Sequence, residues 1–582
     1  MSLRGTADAP RFLTTPTEGD IVFFRGYSIL NGMARPEALP SPVAAGPAKE
    51  WAWAGAHLAM NRDLPAMTLS QRLADPGAYL RLQKGRRQAL EALMAVEPDE
   101  PRLARVTDLI CMIVEESSWA ENPKGAAFDD DQHPRIDFQC AETLMLLAWV
   151  HRAMGERLGV RVSSKLLYEA RRRVFSPFLA HTDYPFMRFM GPQSTRAERP
   201  LCILSDILLA AALLETDAGR RGAVFKQALR LIDQAVQARE ARTLPLADEL
   251  AETAAVTDLC TLLRKLTRGQ LDLTGVYPTP DWLDALLIPW IDGDWFVDAA
   301  TGSMKPVLSG QALFRVGLAS GDEALTALGA TLHREGRVPS ATVTGRMLDL
   351  SCAGMLSAQV DRPPKLKHAA TTRNRLMLSR FSGMTCALHS GGDRGNAGSV
   401  VLFAGDKPIL VETPKSASLP LIDGIPQLTV PGENSPEAAF GADICPADFE
   451  TRPERDLMSV DLTNAWPARL GARSIQRTAM ALRREEALRL VDAFDLEKPS
   501  SVTFRFVTPQ KPELIRPDGS EIVGVRLGPV ILGWDEAMRC DVTGLDERFP
   551  TGDADGAALY CVALTPTSPV ARGFFAFHFT RA

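Results

Sequence analysis

The sequence predicts a chain of two domains, a long helical domain followed by a domain of antiparallel strands. Over residues 65–365 apolar side chains recur at helical spacing, and over residues 366–582 they alternate or form short β-rich runs. The change falls at 360–375, a stretch rich in prolines and charges. With 582 residues the chain is also longer than one hydrophobic core supports. Residues 1–64 form an N-terminal extension that leads into the helical domain.

The helical domain consists of about ten to twelve segments separated by short polar or Gly/Pro breaks. Segments 138–155 and 201–215 are apolar nearly all round, as inner helices are, whereas 221–239 is amphipathic like an outer helix. Alternating inner and outer helices indicate an (α/α) toroid. An α-solenoid is the alternative, but no repeat of about 40 residues supports it. The segments are 84–96, 102–116, 138–155, 163–180, 201–215, 221–239, 248–267, 309–319, 322–333 and 344–358.

The C-terminal third alternates short strand-like runs with turn signals such as GDKP, RPDGSE and GDADG. This spacing is typical of an antiparallel β-sandwich. The predicted strands are 376–389, 399–404, 408–412, 456–462, 474–482, 487–495, 501–508, 521–526, 558–566 and 573–580.

Composition excludes several classes of partner and location. A net charge of −6 gives no broad basic surface, so nucleic acid is not an expected partner, and an anionic ligand needs a local basic pocket. Nine cysteines without metal-binding spacing, mostly in apolar runs, predict buried free thiols in a reducing compartment. No signal-like segment and no apolar run of roughly 18 residues occurs, so the expectation is a cytoplasmic protein away from membranes. A homodimer stays open.

Four stretches resemble the heparinase II/III group of polysaccharide lyases. The first two are 115–142, with its E-S-x-W segment and nearby His, and 171–191, with an aromatic-rich turn after a helix. The others are 390–427, which resembles the family's β-hairpin, and 459–495, which resembles its core strands. The hairpin matches are Gly398, Ser399, Pro408, Leu410, Val411, Leu421, Ile422, Gly424 and Gln427.

The resemblance implies a toroid followed by a sandwich, and a lyase that cleaves anionic, uronate-containing oligosaccharides. Three positions of the hairpin should then carry metal-ligating or catalytic His and Asp side chains. Here they read Arg394, Glu412 and Ala417, of which only Glu412 could ligate a metal. We therefore expect no metal and no cofactor. The family's Tyr is also missing from 244–258.

β-Elimination next to a uronate needs a group that neutralises the carboxylate, a base for the C5 proton, and an acid for the leaving oxygen. The candidates come from the resembling stretches and from 192–200, which stands where the family has an Asn-rich loop that holds the substrate carboxylate. Their alternative roles are solvated loop residues or packing of the toroid end. The catalytic candidates are His133, Tyr184, Arg394 and Asn396, and the substrate-binding candidates are Trp119, Gln193, Arg196 and Glu198.

Three functions stay open at this point. The first is a metal-independent lyase. The second is a catalytically degenerate relative that keeps the cleft and binds a glycan or a partner. The third is a glycoside hydrolase that uses paired carboxylates, with Glu249 and Glu252 or Asp130 as suspects.

Overall fold

The computed structural model describes residues 22–121, 129–130, 132–189, 199–239, 244–359, 364, 366–371, 376–390, 396–413, 415–428, 445–517, 522–550 and 556–582. They form two compact units. The first comprises Met1–Ala241, Asp248–Pro280 and Leu308–Pro364, and the second comprises Arg242–Ala247, Asp281–Val307 and Lys365–Ala582. Helices dominate the first unit and antiparallel strands the second, so the predicted order of helical domain and β-sandwich is confirmed.

The helices begin before the predicted start of the helical domain at residue 65. In the N-terminal extension, the backbone N–H groups of Phe23 and Phe24 donate to Asp233 at 3.0 and 2.8 Å. In chain order the helices are α1 Val22–Arg25, α2 Tyr27–Met33, α3 Lys49–Asn61, α4 Leu69–Ala74, α5 Pro76–Met94, α6 Glu100–Val114, α7 Phe138–Met154, α8 Gly159–Ala170, α9 Ser176–Ala180, α10 Pro200–Leu214, α11 Ala218–Arg239, α12 Leu246–Leu266, α13 Pro280–Leu287, α14 Gly310–Ser320, α15 Glu323–Glu335 and α16 Val343–Ser357.

Burial separates inner from outer helices as the apolar pattern predicts. Almost every residue of α10 and most residues of α7 are buried, and these two helices pack against each other. Helix α11 keeps an exposed face. Helices α14 and α15 approach closely because both carry glycine at their contact: a Cβ on Gly310 would lie 2.6 Å from the carbonyl oxygen of Gly329.

Nineteen strands occur in the part of the chain that the structure describes. They are β1 Trp290–Asp292, β2 Trp295–Phe296, β3 Ala369–Thr371, β4 Leu376–Phe381, β5 Met384–His389, β6 Val400–Ala404, β7 Lys407–Leu410, β8 Leu421–Ile422, β9 Ala447–Thr451, β10 Arg455–Asp461, β11 Ala472–Leu482, β12 Ala487–Ser500, β13 Val502–Thr508, β14 Glu513–Ile515, β15 Gly524–Leu527, β16 Val530–Trp534, β17 Met538–Phe549, β18 Ala557–Pro566 and β19 Val570–Arg581.

The strands pair antiparallel throughout. An eight-stranded sheet has the order β14-β15-β16-β19-β12-β11-β10-β9, a five-stranded sheet β3-β4-β5-β6-β7, and a four-stranded sheet β17-β18-β13-β8. The predicted run 376–389 is two strands, because Ser382 and Gly383 both adopt positive φ and make a tight hairpin turn. Strand β17 was not predicted, since most of its side chains are exposed and lack the apolar pattern.

The five-stranded sheet is buried on both faces. Leu388 and Leu402 point into the core shared with the eight-stranded sheet, whereas Leu378 and Val401 point to the opposite face. That second face is covered by Ile288 and its neighbours from the segment 281–307. This segment lies within the range 65–365 of the predicted helical domain, yet it packs with the strands because its apolar side chains complete their second core.

None of the nine cysteines, all of which lie among the described residues, forms a disulfide, as the sequence predicts. Seven are buried, and Cys111 and Cys540 are half-buried. None of the described helices combines the length and the apolar character that crossing a membrane requires.

Candidate functional site

The sequence candidates fall into three groups. His133, Tyr184 and Trp119 lie in the helical unit, and Asn396 lies in the strand unit. The remaining candidates, Arg394, Gln193, Arg196 and Glu198, lie outside the described residues.

His133 belongs to a cluster of polar rings in the helical unit. Its Nε2 atom lies 2.9 Å from Oδ1 of Asp183, and its ring centroid is 4.3 Å from that of His181 and 4.8 Å from that of Tyr184. The His133 side chain is 37% exposed and that of Asp183 is 59% exposed, so solvent reaches the cluster. We call His133, His181, Asp183 and Tyr184 the histidine cluster.

The hydrogen bonds of the two histidines fix where their lone pairs lie. Nε2 of His181 is 3.0 Å from the carbonyl oxygen of Gln132, and a carbonyl can only accept, so Nε2 carries the proton. Nε2 of His133 likewise faces a carboxylate oxygen, which also accepts. Each neutral imidazole therefore keeps its lone pair on Nδ1. The hydrogen bond with Asp183 raises the pKa of His133 and lowers that of Asp183.

Tyr184 is the buried member of the histidine cluster. Its side chain is 2% exposed, its hydroxyl donates to the carbonyl of Pro134 at 3.0 Å, and its ring stacks on Phe186 at 5.7 Å. Burial raises the pKa of the Tyr184 phenol. In this arrangement the phenol holds the loop that carries His133, and its own proton is already donated.

Two local features place the cluster at the end of one long helix. Residues Arg171–Phe175 form a π-helical turn between α8 and α9, and His181 follows α9 directly. Single π-helical turns occur often at functional sites. From this turn, Arg173 donates to the carbonyl of Glu116 at 2.5 Å, which fixes the start of the loop that leads to His133.

Trp119 lies in the interior. Its side chain is 1% exposed, its indole N–H donates to the carbonyl of Ile113 at 2.9 Å, and the guanidinium of Arg173 sits over its ring at 5.1 Å. A sugar ring cannot reach it in this structure. Trp119 therefore stabilises the loop instead of offering the open aromatic face that the sequence suggested.

The hairpin of the strand unit forms a closed polar cluster. His389 lies 2.8 Å from one carboxylate oxygen of Glu412, and the Asn396 amide donates to the other and to the carbonyl of Ala299. All three side chains are at most 3% exposed. Both carboxylate oxygens of Glu412 are thus engaged, and Ala417 has no donor atom. These residues do not fit the zinc site that the family resemblance implies, so we derive no step through a metal here.

The helical unit also contains a cavity of about 620 Å³. Its wall comes from α3, α5, α7, α14 and α16, and it combines the aromatic rings of Trp51 and Phe138 with charged and amide side chains. Sequence reasoning missed it. The signal that could have revealed it is a carboxyl group, such as Glu142 or Asp206, inside an otherwise apolar inner helix.

Charged side chains that line this cavity form ion pairs with one another. Arg346 binds both carboxylate oxygens of Glu91 at 2.7 and 2.9 Å and one of Glu142 at 3.3 Å. Glu142 also accepts from the backbone N–H of Val343, the first residue of α16, at 2.8 Å. The macrodipole of α16 favours that carboxylate.

Asp206 is a buried neighbour of Glu142, with 2% of its surface exposed. Burial, together with the nearby charge of Glu142, raises the pKa of Asp206 well above its usual range. Burial also raises the pKa of Glu142, although Arg346 opposes this shift. The raised pKa of Asp206 favours its protonated form beside Glu142.

The carboxylates suspected for a hydrolase occupy different environments. Glu249 and Glu252 are buried and paired with Arg239, with N–O distances of 2.7 and 3.8 Å. Asp130 is exposed and accepts from the backbone of Gln132. None of these contacts leaves two carboxyl groups facing an accessible space.

Comparison with solved structures bears on the fold. Heparinase III aligns with a TM-score of 0.52 and 11% identity, covering 90% of this chain and 79% of that one. The chondroitin AC lyase of Streptomyces coelicolor A3, in complex with chondroitin sulphate, aligns with a TM-score of 0.54 and 11% identity, covering 99% and 80%. No protein-family model and no curated protein sequence matches the chain. The chain therefore has a polysaccharide lyase-like fold, in which an (α/α) toroid precedes an antiparallel β-sandwich.

Proposed function

We propose that this chain is a polysaccharide lyase that cleaves uronate-containing, anionic oligosaccharides by β-elimination at the histidine cluster. The observation that carries the proposal is the pair of imidazoles, His133 and His181, whose Nδ1 lone pairs are free of the hydrogen bonds that orient the rings. The fold supports it, because the two aligned structures are a heparinase III and a chondroitin AC lyase in complex with chondroitin sulphate.

The elimination needs two proton transfers, and two adjacent imidazoles can supply both. One Nδ1 takes the proton from C5 of the uronate, the C4–C5 double bond forms, and the C4–O bond breaks. The second imidazole, when protonated, gives its proton to the leaving oxygen. Asp183 and the Gln132 carbonyl hold the two rings in place, so little reorganisation precedes the reaction.

The uronate carboxylate must be neutralised for C5–H to become acidic. Arg196 remains our proposal for this task, with Gln193 and Glu198 as further contacts to the sugar. Guanidinium groups bind carboxylates through two parallel hydrogen bonds, which suits them to the role. Cytoplasmic action on short oligosaccharides is likewise a proposal, supported by nine cysteines that form no disulfide.

The experiment is a screen of the full chain against uronate oligosaccharides, including heparan sulfate and chondroitin sulfate fragments, with chelator present. Elimination gives an ultraviolet absorbance from the new double bond. We expect His133→Ala and His181→Ala to lose at least about 100-fold in turnover, and His57→Ala, an exposed histidine on α3, to change nothing. Full activity in both cluster variants would remove the cluster from the mechanism.

A second function, glycan binding without cleavage, is favoured by one specific observation. The phenol of Tyr184 and the amide of Asn396 are both engaged in buried hydrogen bonds, which leaves fewer free catalytic groups than a lyase normally presents. Binding detected by calorimetry without any unsaturated product would support this function. Reducing ends formed without a double bond would instead indicate hydrolysis.

A further inference from the structure

The histidine cluster brings together three side chains of the types that bind transition metals. His133, His181 and Asp183 each offer one ligand atom, and these atoms lie within 4.8 Å of one another. In a tetrahedral zinc site, ligand atoms are roughly 3.3 Å apart, given bonds of about 2.0–2.2 Å. Small side-chain rotations would therefore bring the three atoms into the first coordination shell of one ion.

We propose that His133, His181 and Asp183 form a binding site for a divalent transition metal of the Zn²⁺ class. This site lies in the helical unit and differs from the hairpin position implied by the family resemblance. Two imidazoles and one carboxylate suit Zn²⁺, Co²⁺, Ni²⁺ or Cu²⁺ and not Mg²⁺ or Ca²⁺, which take oxygen ligands.

The hydrogen bond between His133 and Asp183 marks where the ion would sit. Its N–O distance of 2.9 Å is a few tenths of an ångström shorter than the ligand spacing around zinc. The ion would replace the proton that these two atoms now share. His181 would complete the set through its Nδ1 lone pair, while its Nε2–H still donates to the carbonyl of Gln132. Such an outer hydrogen bond is the usual support of a metal-binding histidine.

The surrounding structure holds the three ligands together before any metal binds. His133 and Asp183 are 50 residues apart, and several further contacts join the two segments that carry them, among them the bond from His181 Nε2 to the carbonyl of Gln132. Tyr184 donates to Pro134, and its ring packs against both histidine rings, with centroids 4.8 and 6.1 Å away. Because the ligands are partly exposed, a fourth position stays open to water.

Metal binding and elimination would compete for the same two imidazoles. The ion would occupy the Nδ1 lone pair of His181, and coordination through Nε2 of His133 would leave the proton of that neutral ring on Nδ1, so neither Nδ1 could accept the substrate proton. Zn²⁺ is therefore expected to inhibit the lyase; this consequence rests on the proposed function, whereas the metal site itself does not.

The test measures binding of Zn²⁺ and Co²⁺ to the tag-free full chain, without any glycan. We expect one equivalent of Zn²⁺ by calorimetry, and visible Co²⁺ absorption without the charge-transfer bands of thiolate ligands. His181→Ala and Asp183→Ala should weaken binding at least about tenfold, while His57→Ala and Asp130→Ala should not. Thermal unfolding of each variant checks that it folds.

The site would be overturned by the absence of a bound equivalent at millimolar Zn²⁺, or by unchanged affinity in a chain with all three ligands replaced by Ala. Thiolate bands in the Co²⁺ spectrum would also contradict it, because they would place the ion on cysteines. Cleavage is assayed separately with chelator present, so a failure of the metal site and a failure of the lyase remain distinguishable.

Discussion

Arg477 and Asp492 face each other on the neighbouring strands β11 and β12 and are joined by two hydrogen bonds of 2.7 and 2.8 Å. Both side chains are at most 2% exposed. The guanidinium also donates to the carbonyls of Gly398 and Ser418. This buried ion pair therefore connects strands β11 and β12 to two residues of the hairpin stretch 390–427.

Arg477→Met should therefore destabilise the strand unit strongly. It leaves the Asp492 carboxylate buried without its cation, which typically costs about 3–5 kcal/mol. Urea unfolding followed by circular dichroism measures the change. Arg469→Met is the matched control, since Arg469 is exposed and should stay within about 0.5 kcal/mol. Equal losses in the two variants would contradict a special role for the pair.

Asp206→Asn should make the stability of the helical unit less sensitive to a rise in pH above about 4. A carboxyl whose folded pKa is raised contributes stability below its ordinary pKa of about 4, and loses it as pH rises toward the folded value. Asn cannot ionise and keeps a hydrogen-bond donor toward Glu142. We expect similar melting temperatures for both proteins at about pH 4 and below, and an increasingly higher one for the variant as the pH rises above that value. Parallel melting curves across this range would refute a protonated Asp206.

Tyr184→Phe tests whether the phenol acts in chemistry or in support. The variant loses the hydrogen bond to the Pro134 carbonyl, which is worth about 1 kcal/mol, and keeps the ring contacts. We expect a small drop in melting temperature and, where the chain cleaves a substrate, turnover within about tenfold of the native chain. A loss as large as that of His133→Ala would show that the phenol takes part in proton transfer.

Asn396→Ala should act on stability and not on a ligand. The amide donates to Glu412 inside a closed cluster, and its removal leaves a buried carboxylate oxygen without that donor, which costs about 1–3 kcal/mol. Chemical unfolding measures this loss. Asn464→Ala, at an exposed position, is the control. If Asn396→Ala folds normally but loses glycan binding, then the cluster opens to ligands.

The thiols should differ sharply in reactivity. Cys111 and Cys540 are half-buried, and the other seven are buried. Burial raises the pKa of Cys540 to about 11 and also raises that of Cys111, so even these two react slowly as thiolates. A disulfide reagent should label at most these two in the folded chain and all nine in denaturant. Rapid labelling of more than two would contradict the burial.

Much of the architecture followed from local patterns. The inner helices α7 and α10 were predicted because a helix enclosed by neighbours must be apolar on every side, which any single segment displays. The change from helical spacing to alternation likewise marked where the three larger sheets begin, although the two-stranded sheet of β1 and β2 lies earlier in the chain. Strand β17 was not predicted, because an exposed strand does not carry the apolar pattern.

Which distant side chains contact one another was decided by the tertiary structure. The sequence singled out His133 and Tyr184, but Asp183 joined His133 only because two loops fold onto each other across 50 residues. The tertiary structure also buried Trp119, engaged Asn396 and paired Asp206 with Glu142. Periodicity reports which face of a segment is covered, because burial repeats with each turn or pleat. It carries no information about which distant segment does the covering, since the path of the intervening chain decides that.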